Sequence, residues 1–211
     1  LDKNNPLLFA MGDGNHSFAT AKSCWEDIKA TLTPEQQKNH PARFCLVELE
    51  NIFDPGLLFE PIHRVFFNVP EDVFLNELKK NAESISIEEV GCKNCIADKI
   101  KDQSEQRFGY CVAGKHAVVT LKKPAANIAA GTLQKVIDEL VSKKYNIGYI
   151  HGADVTDKQG SEKGNIGIFL PAIDKGTFFE TIIKDGALPR KTFSMGEANE
   201  KRFYMEARAI K

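Results

Sequence analysis

Asp13-Gly14-Asn15-His16-Ser17 gathers a carboxylate, an amide, an imidazole and a hydroxyl around one glycine, with Gly12 just before it. The two glycines permit positive φ and let a ligand approach the backbone closely. A helix starting here would present N–H groups and the positive end of its dipole. That combination receives an anion, a phosphate in particular. Asp13 would bind a metal ion or orient a hydroxyl, and His16 would act as acid, base or hydrogen-bond donor. Gly14, Asn15 and Ser17 would contact phosphate oxygens. The plainer reading, a helix capped by Asp13 or Asn15 with Gly14 turning the chain, accounts for the same residues. The segment lacks the Gly-Lys-Ser/Thr of a P-loop and the third glycine of a dinucleotide fingerprint.

Three further constellations carry chemistry. His63-Arg64 follows Pro61 in an apolar stretch and sets a cation beside a titratable imidazole. Arg190-Lys191-Thr192 puts basic and hydroxyl side chains in one short loop. His151-Gly152-Ala153-Asp154 offers a His and Asp pair that would polarise a hydroxyl, or simply an Asp154 cap. Against each stands the bland alternative of a hydrogen-bonded half-buried histidine or a solvated basic surface. Cys92-Lys93-Asn94-Cys95, with Cys111 and His116, has a spacing permissive for zinc but not diagnostic of it, and zinc is not expected. The same pair reads as a redox dithiol, without the aromatic and Gly-Pro surroundings usual for one.

The elements that position these groups follow from periodicity. Residues 7–11 form an apolar run that reads as a buried strand entering the glycine turn. Phe18, Ala21, Trp25, Ile28 and Leu32 then recur at helical spacing. Thr33-Pro34-Glu35 opens a short helix. Strands are expected at 43–49, within 57–69, at 84–90, 147–150 and 166–170. A hairpin is expected with strands 108–112 and 117–121 on either side of Gly114-Lys115. Helices are expected after Pro70, over 133–141, and from Phe178 to near Gly186, with 152–165 a polar connection and a terminal strand at 202–208. Interleaved helices and strands with at least one β-hairpin make this an α+β fold around a mixed sheet. It reads as a single α+β region over 1–211 with a soft boundary near 81.

Composition bounds the function classes. The 28 Lys+Arg against 29 Asp+Glu leave a formal charge of -1, so no overall basic field attracts nucleic acid or an anionic membrane. No apolar run approaches the roughly 18 residues of a membrane span. Five cysteines in a chain of 211 residues and 42% hydrophobic content do not make a disulfide framework. A cytoplasmic protein with reduced thiols is expected, its partner a small anionic ligand rather than nucleic acid or membrane.

The Asp-Gly-Asn-His motif at 13–16, Ala19-Thr20-Ala21, Asp54-Pro55-Gly56-Leu57, Pro61-Ile62-His63-Arg64 and the segment 186–208 together resemble the domain-of-unknown-function family 1015 over essentially the whole chain. That family usually shows Asp-Gly-His-His-Arg at the first site, with Pro-Thr-His-Arg and Pro-Lys-Ser/Thr further on. The resemblance implies that the chain corresponds to the C-terminal portion of a longer protein that starts upstream. The first motif is also similar to one in the ParB and sulfiredoxin-like group, which includes nucleotide-binding proteins and free-serine kinases. There the motif lies at a helix start and helps bind nucleotide phosphates. Asp13, Gly14 and His16 match it, while Asn15 stands for the first His and Ser17 for the Arg, so a bidentate guanidinium clamp is absent at that point. The function expected is binding of a nucleotide, ATP or ADP with Mg, in a pocket lined by Asp13, Gly14, His16, Arg64 and Lys191, with kinase-like phosphotransfer to a small hydroxyl compound. The alternatives are a regulatory protein that binds the ligand without chemistry and a protein-interaction domain.

Overall fold

The structure is a computed structural model that describes residues 4, 6–12 and 14–195. The described residues fall into two compact units, one ending at Asp54 and the other starting at Pro55.

The first unit contains α1 (Asn15–Lys29), α2 (Pro34–Lys38) and a short 3-10 turn at Pro41–Arg43. Thr33 begins α2 with a reciprocal capping box, accepting from Gln36 N while Gln36 Oε1 accepts from Thr33 N, as Thr-Pro-Glu predicts. The strands expected at 7–11 and 43–49 are absent. Both runs have strand-like composition, but a strand exists only where another backbone completes its ladder, and among the described residues no pairing involves them. Their side chains lie open, with Leu46 85% and Leu8 69% exposed. The α1 stripe shows the same thing: no residue of that helix is buried.

The second unit holds the core. Its elements are β1 (Phe59–Phe67), α3 (Glu71–Lys79), β2 (Ala82–Val90), α4 (Lys93–Ile100), β3 (Gln106–Val112), β4 (Lys115–Pro124), α5 (Ala129–Ser142), β5 (Asn146–His151), α6 (Ala153–Gly160), β6 (Ile166–Phe169), α7 (Phe178–Asp185) and β7 (Phe193–Met195). The sheet runs β2-β4-β3-β6-β1-β5, with β7 on the first residues of β1. The α+β class and the hairpin are as expected, and the sheet resolves to antiparallel in every described pairing. The β3–β4 hairpin turns on Ala113 and Gly114, both at positive φ, one residue earlier than the Gly-Lys signal.

Alternation along the strands builds two apolar layers. Phe108, Tyr110, Ala117, Val119 and Leu121 pack with Phe74 and Leu78 of α3 and Leu133, Val136, Ile137 and Leu140 of α5. Cys111 and Val118 turn the other way, onto Ile96 and Ile100 of α4 and toward Ala153 of α6. Helix α6 occupies a stretch expected to be a polar connection, and α4 one for which no element was expected. The face of α6 offers only Thr156 and Gly160 as buried residues, so it carries no apolar period to read.

Candidate functional site

In the first unit, Gly14 stands at the N-cap of α1 with φ 73 and ψ 17, the left-handed conformation that a glycine adopts without a Cβ penalty. Among the described residues no side chain caps the helix, and its first turn contains no acidic residue. Asn15 donates from Nδ2 to Met11 O (3.4 Å), and Phe18 N donates to Gly14 O (2.9 Å), closing the first turn. Asn15, His16 and Ser17 are exposed. The glycine turn thus leads into a helix as expected, but without a strand before it. Asp13 lies outside the described residues.

In the second unit, motifs far apart in sequence meet on β1. Pro61, Glu60 and Phe59 pair with Phe193, Ser194 and Met195, and Ile62 N reaches Thr192 O at 3.5 Å. Pro61 is tolerated because it falls in the end of β1 that only β7 pairs. On the β5 side, Ile62 pairs with His151 and Arg64 with Tyr149. The Pro-Ile-His-Arg, Arg-Lys-Thr and His-Gly-Ala-Asp stretches are therefore neighbours.

Arg64 is 0% exposed, and among the described residues no carboxylate pairs with it. Its Nη1 donates to Ile62 O (2.5 Å) and His63 O (3.1 Å), its Nη2 to Lys191 O (3.0 Å), and its Nε has no partner among the described residues. The guanidinium carbon sits 4.3 Å from the centre of the Tyr149 ring, a cation–π contact. Burial lowers its pKa to about 10, so the cation persists at neutral pH. Beside it, buried His63 accepts from Leu170 N at Nδ1 (3.1 Å), which leaves the ring proton on Nε2. Burial first, then the charges of Arg64 and His151, lower the His63 pKa to about 4. His63 is thus a neutral imidazole at pH 7.

Arg190 and Lys191 are exposed, and Lys191 has φ 55, a left-handed conformation rare for a lysine. Thr192 is buried and donates from Oγ1 to Pro189 O (2.5 Å). A cavity of about 370 Å³ borders Thr192 and is lined by Arg107, Asn127, Asp174, Glu180 and Lys184 among others, while His63 and Arg64 do not reach it. Of the expected site residues it takes only Thr192.

The cysteine and histidine set at 92, 95, 111 and 116 is not assembled as a metal site. His116 Nε2 is 2.6 Å from Asp157 Oδ1, and the Cys111 thiol faces the carbonyls of Thr156 and Asp157. Among the described residues no group of three or more His, Cys, Asp or Glu is arranged to hold a metal ion. Asp154 pairs with Lys93 and not with His151. Two contributors escaped sequence reasoning. Tyr149 resembles any strand aromatic, and Asp157 would have stood out only if α6 had been recognised, since it follows Asp154 by three residues on one helix face.

This chain belongs to the family described as "Protein of unknown function (DUF1015)", whose profile matches residues 3–140. None of the curated proteins matches it. Among solved structures it is similar to a mutant of free serine kinase in complex with ADP, at 13% identity and a TM-score of 0.52, over 84% of this chain and 80% of that one. It is also similar to another mutant of free serine kinase in complex with AMP (18% identity, TM-score 0.48, 70% of this chain and 57% of that one). A conserved hypothetical protein from Pyrococcus furiosus matches comparably (18%, TM-score 0.49, 72% and 61%). The chain thus spans about three-fifths of the length of the last two. At these identities the likeness is one of fold. Among the described residues no helix is long and apolar enough to cross a membrane.

Proposed function

We propose that the protein binds a nucleotide, ATP or ADP, whose phosphates are received by the backbone N–H groups of Asn15, His16 and Ser17 opening α1, with Gly14 letting them approach the backbone closely. The observation that carries this is the start of α1 itself. A fifteen-residue helix begins at a left-handed glycine and, among the described residues, has neither a side-chain cap nor an acidic residue in its first turn, whereas α2 has both Thr33 and Glu35. An anion is what such a terminus accommodates. The ADP-bound free serine kinase of similar fold and the resemblance of the 13–16 motif to nucleotide-binding ParB and sulfiredoxin-like proteins support the reading.

In its more specific form the reaction is phosphoryl transfer from the nucleotide to a small hydroxyl compound. Asp13 would orient the hydroxyl or the Mg²⁺ carried on the phosphates, His16 would exchange the proton, and positioning would supply most of the catalysis. On its own geometry, the second unit adds a proposed anion-contacting surface. There exposed Arg190 and Lys191 carry the charge, Arg64 and Thr192 hold the loop behind them, and His63 lies beside Arg64. The departures at Asn15 and Ser17 favour a second reading, a binder without chemistry, because no guanidinium stands at that point to stabilise transferring charge.

The test is ADP binding by titration calorimetry with Ser17→Glu and His16→Ala. A glutamate in the first turn favours the helix dipole, by about 0.3–1 kcal/mol, yet repels phosphate. Ser17→Glu should therefore keep or raise the melting temperature while weakening ADP at least about tenfold, a loss of about 1.4 kcal/mol. Transfer from ATP to a member of a panel of small alcohols and amino acids, lost in Asp13→Asn, establishes the phosphotransferase. Binding without transfer establishes the second reading. Equal ADP affinity in all variants, or no binding, overturns the site.

A further inference from the structure

Cys92-Lys93-Asn94-Cys95 takes no part in the nucleotide site. Cys92 is the N-cap of α4 and Cys95 lies in its first turn. Cys95 N donates to Cys92 Sγ at 3.4 Å, and the two sulfurs stand 2.8 Å apart. Both side chains are half-buried and so reachable by a small reagent. The turn that presents them is anchored. Ile96, directly after Cys95, is buried in the core, Lys93 pairs with Asp154 of α6, and Lys99 pairs with Glu88 of β2.

The remaining cysteines are differently placed. Cys24 and Cys45 are exposed in the other unit, and Cys111 is buried, its thiol pushed up to about 11 by burial. Cys92 is held below the ordinary thiol range by hydrogen bonds from the Cys95 side chain and from the N–H groups of Cys95 and Asn94, while Cys95 is raised by the same partnership. That asymmetry separates an attacking thiolate from a resolving thiol. Among the described residues no third ligand is arranged beside them, which leaves the pair to its own chemistry.

We propose that Cys92 and Cys95 form a redox-active dithiol that exchanges with small-molecule disulfides such as oxidised glutathione. The Cys92 thiolate attacks one sulfur of the disulfide RSSR, forming a Cys92 mixed disulfide and releasing RS⁻. Cys95 then gives up its proton and attacks Cys92 Sγ, forming the Cys92–Cys95 bond and releasing the second RS⁻. The protein loses two protons and two electrons, and RSSR becomes two RSH. The spacing across one helical turn lets the bond close while the backbone of α4 stays as it is.

The whole chain, fully reduced, is incubated with oxidised and reduced glutathione in varied ratio, acid-quenched and mapped by peptide mass. The expected product is an intramolecular Cys92–Cys95 disulfide, lighter by about 2 Da and reversed by dithiothreitol, while Cys24 and Cys45 acquire only glutathione adducts, and later. At pH 7 iodoacetamide should label Cys92 about tenfold faster than Cys24. Cys95→Ser should trap glutathione on Cys92, and Cys92→Ser, whose serine preserves the helix cap, should leave Cys95 unmodified on the same timescale. Separate adducts on Cys92 and Cys95 without a bridge overturn the proposal. So does labelling of Cys92 no faster than Cys24, or a stoichiometric zinc ion in the purified protein that shields both thiols.

Discussion

Arg64 Nη2 donates to the carbonyl oxygen of Lys191 at 3.0 Å, joining residues 127 apart in sequence. The guanidinium is buried and, among the described residues, has no carboxylate partner. Its charge is met by the carbonyls of Ile62, His63 and Lys191 and by the Tyr149 ring. A buried cation balanced by backbone dipoles fixes the geometry of those dipoles, here the loop that displays Arg190 and Lys191.

Replacing Arg64 therefore acts on the loop. Arg64→Ala strands three carbonyls in a buried space and leaves a cavity, for a loss of about 3 kcal/mol in urea denaturation. Arg64→Lys should recover only part of this, because an ammonium cannot fork toward three acceptors. Trypsin cleavage after Arg190 and Lys191 under native conditions should speed up about tenfold in Arg64→Ala. Unchanged cleavage would show that Arg64 does not hold the loop.

That convergence marks where sequence reading stops. The His63-Arg64 and Arg190-Lys191-Thr192 stretches stand out by residue type, but nothing local says that β7 lies on β1, because pairing across the whole domain is set by tertiary packing. The β3–β4 hairpin and α5 were legible for the opposite reason: a two-residue turn and a period over Leu133, Val136, Ile137 and Leu140 are local signals. Helix α6 escaped because it packs through Gly160 and Thr156, and the run at 43–49 misled because apolar composition does not supply a ladder partner, and none pairs with it among the described residues. At the first site the helix start was readable from Gly14 onward, and the strand before it was not.

His63 imposes a pH dependence of known sign. In the unfolded chain its imidazole titrates near 6.5, and in the fold near about 4, so between those values the unfolded state binds more protons. Stability is full above pH 6.5 and is lost as pH falls toward 4, by a total of about 3 kcal/mol. His63→Asn places an uncharged acceptor near Nδ1 for the Leu170 N–H and should flatten the profile between pH 7.5 and 4.5. Urea midpoints across that range give the measurement. An equal slope in wild type and variant would show that other groups carry the effect.

Helix α6 lies on β6 through glycine against glycine. A Cβ on Gly160 would stand 2.3 Å from Gly167 N and 2.4 Å from its Cα, and backbone cannot step aside as a side-chain tip can. Gly160→Ala should cost more than about 3 kcal/mol, by forcing the helix off the sheet. Gly91, where an added Cβ meets nothing within 4 Å, is the control, and Gly91→Ala should stay within about 0.5 kcal/mol of wild type. Equal melting temperatures for the two variants would contradict this packing.

Lys191 permits charge to be separated from conformation. Its carbonyl is the acceptor that Arg64 holds, and its φ of 55 is one that glycine adopts without a Cβ penalty. Lys191→Gly keeps the carbonyl and removes the ammonium. Relief of the left-handed backbone offsets the greater freedom of glycine in the unfolded chain, so stability should change by less than about 0.5 kcal/mol. If the loop contacts an anionic ligand, ADP affinity should nonetheless fall by about three- to tenfold and its salt dependence should weaken, because exposed charges act through a screened field. Arg190→Gln should give a similar loss. An ADP affinity and salt slope equal to wild type in both variants would leave Arg64 holding a loop whose charge meets only solvent, and the second unit would then drop out of ligand recognition.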